Sequence, residues 1–249
     1  MWIGYSGELE FSLDMQKLKL IYEGKAKKLF DTDDPELLIQ EFKDDATAFD
    51  ATKRGTIVNK GVINNKLSER IFILLSNNHI PTHFVKRLSD RDMLIKRVEI
   101  IPVEVTIRNI VAGGMAKLLG LEEGGVLKSP VLEYHYKEDK LHDPLINEYH
   151  IFWLGVATGK ELDRIKKYSF KINEILKKFF DSKGLILVDF KLEFGRCKGK
   201  IILADEISPD TCRLWDKATK EKLDKDRFRR DLGGVEDAYQ EVLRRVMKE

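Results

Sequence analysis

Antiparallel hairpins with helices packed on them, divided between two lobes, are the architecture this sequence predicts, on three observations. Residues 184–195, GLILVDFKLEFG, alternate strictly: Ile186, Val188, Phe190, Leu192 and Phe194 fall on one face of a strand, and Leu187, Asp189, Lys191 and Glu193 on the other. Two longer segments, from Lys60 and from Thr158, repeat their apolar residues at helical spacing. The character of the chain also changes at Ile100-Ile101-Pro102. A small, strand-rich lobe (15–100) precedes this junction, and a larger lobe (101–249) with longer helices and the polar-faced strand follows it.

From Lys17, KLKLIYEGKAKKLFDT forms two short alternating segments joined at Glu23-Gly24-Lys25-Ala26-Lys27. Such a turn is either a lysine-decorated surface hairpin or a flap whose amides and ammonium groups close over phosphates. It is not a Walker A loop, because GxxxxGK(S/T) and its helix are missing. Leu37–Phe42 is the next strand, Lys43–Asp50 leaves it as a polar, acid-bearing loop, and a helix runs from Lys60 until Asn77-Asn78-His79-Ile80-Pro81 breaks it. His79 and His83 stand at no metal-ligand spacing and read as ordinary polar residues. Strands follow at His83–Leu88 and Met93–Glu99.

Val103–Val111 alternates again and sets Glu104, Thr106 and Arg108 on one face, before Ala112-Gly113-Gly114 opens into a helical segment. Arg108 there either holds an anion, with free amides beside it, or pairs with Glu104 within the sheet. His142–Asn147 is a loop rich in hydrogen-bonding side chains. Thr158-Gly159-Lys160-Glu161 has the form of a capping box, and the helix it starts ends before Gly184. After the strand with which we began, Gly195–Gly199 is a turn of about five residues centred near Cys197, and a second apolar run leads to Ala204-Asp205-Glu206. In that register Asp205 joins Asp189 and Glu193 on one side. Ile207–Asp216 reads as a loop carrying Arg213, a second arginine for an anionic group. Lys217–Asp231 reads as a solvated helix with its flanks, and Val235, Tyr239, Val242 and Val246 mark a closing amphipathic helix.

The chain has 249 residues, 43% of them hydrophobic, and a formal net charge of +2 with 35% charged residues. That is enough for a sizeable core, and the interspersed charge argues against nucleic acid as a partner and against disorder. Cys197 and Cys212 match no metal or redox spacing, so a reduced, cytoplasmic protein is expected. No apolar run reaches membrane-spanning length, and no signal peptide is read. Residues 1–14 look unlike the patterned chain that follows and are read as a leader or unmatched extension.

Acids and lysines are uncommon in strands, and two like charges about 4 Å apart repel by roughly 4 kcal/mol at an effective dielectric of about 20. The polar face of 184–195 is therefore either an ordinary solvated sheet surface or a site for a hard divalent cation. Mg²⁺ takes one or two carboxylates and completes its shell with water and phosphate oxygens.

Six blocks in unbroken order, YEGKAKKLF, NKGVINNK, IIPVEVTIRNIVAGG, HDPLIN, GLILVDFKLEFG and ADEISPDTCRLWD, closely resemble the SAICAR synthetase family from about Met15 to the carboxyl terminus. The resemblance implies a two-lobed α+β fold related to ATP-grasp enzymes, with ATP between the lobes. It implies an ATP-dependent ligase of purine biosynthesis that joins 5-aminoimidazole-4-carboxylate ribonucleotide (CAIR) to L-aspartate, giving SAICAR, ADP and phosphate. Carried over by motif, Lys25, Ala26 and Lys27 cover the ATP phosphates, and Ile95, Lys96 and Ile100 line the adenine pocket. Glu193 and Asp205 serve Mg²⁺ and nucleotide. Arg108, Gly114 and Arg213 hold the ribonucleotide phosphate, and Asp143 and Lys191 lie near the imidazole and its carboxylate. Asp50 or Asp189 accepts the amine proton of aspartate. The family places a serine where this chain has Gly114, so one hydroxyl contact to phosphate is missing. A homo-oligomer is expected from the family. A phosphotransferase acting on a small metabolite, or a catalytically silent nucleotide-binding module, would use the same nucleotide groups.

Overall fold

A computed structural model describes residues 15–48 and 52–248. The expected leader, 1–14, and the candidate base Asp50 lie outside the described residues. The fold is α+β, with antiparallel sheets and packed helices.

The first sheet runs β1 (Leu20–Glu23), β2 (Lys27–Asp31), β3 (Leu37–Phe42), β7 (Asp92–Lys96) and β6 (Phe84–Arg87) in spatial order, all antiparallel. The Lys43–Asp50 segment is more than a loop, because β4 (Asp45–Ala48) pairs with β5 (Lys53–Thr56) as a separate ribbon. Helix α1 (Lys60–Asn77) packs on β3 and β6 through Leu67, Ile71, Phe72 and Leu75, all buried.

The second sheet is ordered β10 (Leu145–Ile146), β9 (Val126–Tyr136), β8 (Glu99–Ile110), β11 (Leu185–Cys197) and β12 (Lys200–Ala204), with β13 (Cys212–Asp216) also paired to β11. β8 runs straight through Pro102, where a break was expected. Opposite it, the pairing with β11 skips between Glu193 and Gly195, and a bulge is one of the few places in a sheet where proline is tolerated. Helix α2 is Gly113–Leu119, α3 is Glu148–Trp153 and α4 is Gly159–Ser182. Thr158 caps α4 in a capping box with Glu161, and the α4 stripe Leu162, Ile165, Ile172 and Leu176 is buried against β8 and β11.

Three further expectations need correction. The β11–β12 turn holds two residues, because Cys197 pairs with Lys200 and both Lys198 (φ 49°) and Gly199 (φ 74°) adopt the left-handed backbone of a tight hairpin. Half of Ile207–Asp216 is strand β13. The charged run 217–231 holds only the short helix α5 (Asp226–Arg229), and Asp224 and Asp226 within it are buried. The last helix, α6 (Val235–Met247), buries Val235, Tyr239, Val242 and Val246 and packs against α1.

The two sheets meet where Thr82 and His83 run beside Leu203 of β12, with His83 N–H donating to the Leu203 carbonyl at 2.8 Å. This junction sets the end of β12 against the first sheet. No helix among the described residues is long and apolar enough to cross a membrane.

Candidate active site

Register decides what the second sheet presents. Asp189, Lys191 and Glu193 of β11 lie opposite Arg108, Thr106 and Glu104 of β8, and Thr106 and Glu104 lie opposite Glu133 and His135 of β9. Paired residues share a face, so these eight side chains form one polar surface three strands wide. The alternate residues, Phe190, Leu192, Val105, Ile107 and Tyr134, are buried on the other face. The alternation of the sequence thus becomes a floor with core beneath it.

One end of that floor carries two arginines held by carboxylates. Both oxygens of Asp189 accept from Arg213 Nη1 (2.8 and 3.1 Å), and Oδ2 also accepts from Arg108 Nη1 (2.8 Å). Arg108 Nε donates to Glu133 (2.8 Å) and Arg213 Nε to Asp226 (3.0 Å). Burial pushes the Asp226 carboxyl up, but Arg213 and Arg229 hold it down at about 2. The expected alternative for Arg108, a pair with Glu104, is not formed, because Glu104 accepts from Lys191 instead. Gly113, at φ 53°, lies so close to Arg213 that a Cβ there would come within 2.4 Å of Nη2; at Gly114 a Cβ would stand 3.7 Å from Arg108 Nη2. The two arginines and the two glycines therefore stand side by side. Asp189 aligns the arginines with both its oxygens.

The other end is acidic. Asp205 arrives there by a route that strand register does not predict: Glu193 pairs with Ala204, so the next residue would face the core. Instead Asp205 takes a left-handed backbone (φ 63°), and its carboxylate meets Lys27 at the start of β2. Lys27 also contacts Glu206 Oε1 at 3.0 Å, and Glu193 pairs with Lys137. Burial first, and then the Asp205 charge, push the Glu193 carboxyl up to about 7. Burial opposes ionisation of Asp205 as well, but Lys27 and Lys137 hold its carboxyl below the usual range. His83 is buried beside them, and desolvation drives its imidazole down to about 3, so it is neutral.

The remaining candidates divide. Lys25 pairs with Asp139 at 2.8 Å, and the Ala26 carbonyl accepts from Lys43 N–H, which ties the β1–β2 turn to the strand end at Phe42. Asp143 (φ 46°) accepts from Glu138 N–H, while its carbonyl lies 3.2 Å from His135 Nδ1 beside the floor. Ile95 is 3% exposed in a strand flanked by β3 and β6, and it packs within the hydrophobic core. Lys96 reaches back to the Thr82 carbonyl at 3.2 Å, and Ile100 is exposed where the chain passes from the first sheet to the second. Sequence reasoning missed Glu133, Lys137, Glu206 and Asp226. The first two stood in the alternation of VLEYHYK, and Glu206 adjoins Asp205.

Among the described residues no group of three or more His, Cys, Asp or Glu side chains is placed to hold a metal ion. Two hard carboxylates countered by two ammonium groups are nevertheless a donor set suited to Mg²⁺ shared with phosphate oxygens.

The sequence profile of the SAICAR synthetase family matches residues 20–246. A phosphoribosylaminoimidazole-succinocarboxamide synthase of Thermoanaerobacter sp. (strain X514) is 61% identical over 232 residues, covering 93% of this chain and 99% of that protein. One of the same name from Ehrlichia chaffeensis has a crystal structure that superposes with a TM-score of 0.90 at 46% identity, covering 92% of this chain and 98% of that one. A SAICAR synthetase solved in complex with ADP superposes with a TM-score of 0.89 at 50% identity, over 92% and 97% of the two chains.

Proposed function

Since the chain belongs to the SAICAR synthetase family and is an ATP-dependent ligase of purine biosynthesis, we propose that the polar floor is its active site, with the ribonucleotide phosphate at the arginine end and the nucleotide at the acidic end. The observation that carries this reading is the continuity of the floor. Asp189 and Glu193 are four residues apart on one strand, about 14 Å at about 3.4 Å per residue, with Lys191 between them. That span suits a ribonucleotide whose phosphate and carboxylate must be fixed at the same time.

A carboxylate is a poor electrophile, and phosphorylation to an acyl phosphate converts its oxygen into a leaving group that an amine can displace. Phosphoryl transfer depends on positioning and charge neutralisation. Arg108 and Arg213, aligned by Asp189, hold the substrate phosphate. Lys191 orients the carboxylate that is to be activated. Lys25, Ala26 and Lys27 close over the ATP phosphates, and the linker Lys96–Ile100 borders the adenine. Glu193 and Asp205 would hold Mg²⁺, which when bound neutralises charge on the phosphates. The wider reading has a small strand-rich lobe (15–100), a larger lobe (101–249), a cytoplasmic location and a homo-oligomer.

An assay of ADP release with CAIR, aspartate or ATP omitted in turn tests the assignment. Release without aspartate, with a stable phosphorylated product, would instead mean a phosphotransferase.

A further inference from the structure

Glu206, next to Asp205, is a buried and firmly held acid. Its side chain is 3% exposed, Oε1 lies 3.0 Å from Lys27 Nζ, and Oε2 accepts from Ser208 Oγ at 2.7 Å. Ser208 is itself fixed, because its Oγ accepts from Asp210 N–H at 3.1 Å and its N–H donates to Thr211 Oγ1 at 3.1 Å. Asp210 in turn is clamped by Lys60 Nζ of α1 at 2.7 Å and by the Tyr239 hydroxyl of α6 at 2.6 Å. The Glu206 carboxylate is therefore anchored to two helices behind the site.

Asp205 differs in its surroundings. Its side chain is 23% exposed, and among the described residues the side-chain partner of its carboxylate is Lys27. Three carboxylates (Glu193, Asp205, Glu206) face two ammonium groups (Lys27, Lys137). If Lys27 had Asp205 alone, a cation and the lysine would compete for the same oxygens. Glu206 removes the competition by giving the ammonium a second, immobile partner.

We propose that Glu206 is a positioning residue: it holds Lys27 in the crevice when Asp205 turns from the lysine to Mg²⁺, so that lysine and metal act on the phosphates together. The proposal rests on the reading of Asp205 and Glu193 as the metal-binding pair.

Calorimetric titration of ADP at a series of Mg²⁺ concentrations, without CAIR or aspartate, reads the effect independently of turnover. In Glu206→Gln the amide oxygen can still accept from Ser208, but Lys27 is left to Asp205. The half-saturating Mg²⁺ concentration should rise about tenfold, the equivalent of one charge-assisted hydrogen bond. Glu206→Asp keeps the charge but falls one methylene short of Lys27, and it should show a similar rise. In a Lys27→Met background the Glu206→Gln change should shift Mg²⁺ dependence less than about twofold, since coupled residues are non-additive. Circular dichroism and the thermal midpoint identify any variant that has not folded, and the Asp variant stands in if the Gln variant fails. A wild-type Mg²⁺ dependence in both Glu206 variants would overturn the proposal, as would the full tenfold shift in the Lys27→Met background. Failure of the metal reading itself shows separately, as Mg²⁺ dependence unchanged in Asp205→Asn and Glu193→Gln.

Discussion

Replacing Asp189 by asparagine tests the arginine end of the site most directly. The carboxylate accepts three charge-assisted hydrogen bonds from one buried and one partly buried guanidinium group, and the amide can keep an acceptor on one side only while turning an N–H donor toward arginine donors on the other. Breaking a buried ion pair by removing one partner costs about 3–5 kcal/mol. Glu133 and Asp226 remain on the two Nε atoms, so the low end, about 3 kcal/mol, is expected. For a chain of this size that corresponds to a fall in Tm of about 6 °C, taking about 2 °C per kcal/mol. The freed guanidinium groups would then be short of an anion. Inorganic phosphate at tens of millimolar should restore part of the lost Tm in the variant and do less for the wild type, and the KM for the ribonucleotide should change more than that for ATP. Urea unfolding followed by circular dichroism, thermal scans with and without phosphate, and initial-rate kinetics supply the measurements. A loss below about 1 kcal/mol, with no phosphate response, would refute the view that Asp189 aligns an anion-binding pair.

The other predictions concern the acidic end and the two glycines. Glu193→Gln should lower aspartate-dependent ADP formation by at least about 100-fold, as expected for loss of a group that stabilises transferring charge, with an unchanged circular dichroism spectrum; near-normal turnover would remove Glu193 from the site. Because the Glu193 carboxyl sits at about 7, protons compete with Mg²⁺ below that pH. The half-saturating Mg²⁺ should therefore fall as pH rises from 6 to 8, by at most about tenfold per unit for one proton released, and a flat profile would contradict the assignment. The sign for stability is opposite: a carboxyl whose folded pKa is raised favours the fold at low pH, and that contribution is lost as pH rises from the unfolded value near 4.5 through 7. Gly113→Ala should raise the KM for the ribonucleotide about tenfold or more, because its Cβ would meet Arg213 at 2.4 Å in a left-handed backbone. Gly114→Ser has room, at 3.7 Å from Arg108, and should lower that KM by up to about tenfold by adding a hydroxyl to the anion site.

What could be read from the sequence was what local pattern controls. The period of two in GLILVDFKLEFG set a floor above a core, and the capping box at Thr158 started α4 where it was expected. The errors arose where a distant strand or a backbone torsion decides. CRLWD is too short to announce itself as a strand until β11 lies beside it. Pro102 reads as a break unless the bulge opposite it is known. The turn at Lys198 was misjudged because a lysine, not an asparagine or glycine, occupies the first left-handed position.

The clearest case is Asp205. The assumed five-residue turn, with simple alternation, put it among the acids, but the true two-residue turn points it toward the core side of the sheet. The left-handed backbone at Asp205 then reverses the side chain and brings it to Lys27. The two errors cancelled, so the expected nearness of Asp205 to Glu193 followed from an incorrect register. Alternation can therefore nominate acids along the length of a strand, but at its last residue the backbone torsion chooses the face. In this chain that torsion lies at the junction of the two sheets, where β12 ends beside Thr82 and His83. The acidic end is thus a product of tertiary packing, and substitutions that loosen that junction should weaken nucleotide binding while leaving the arginine pair, which is set by strand register, in place.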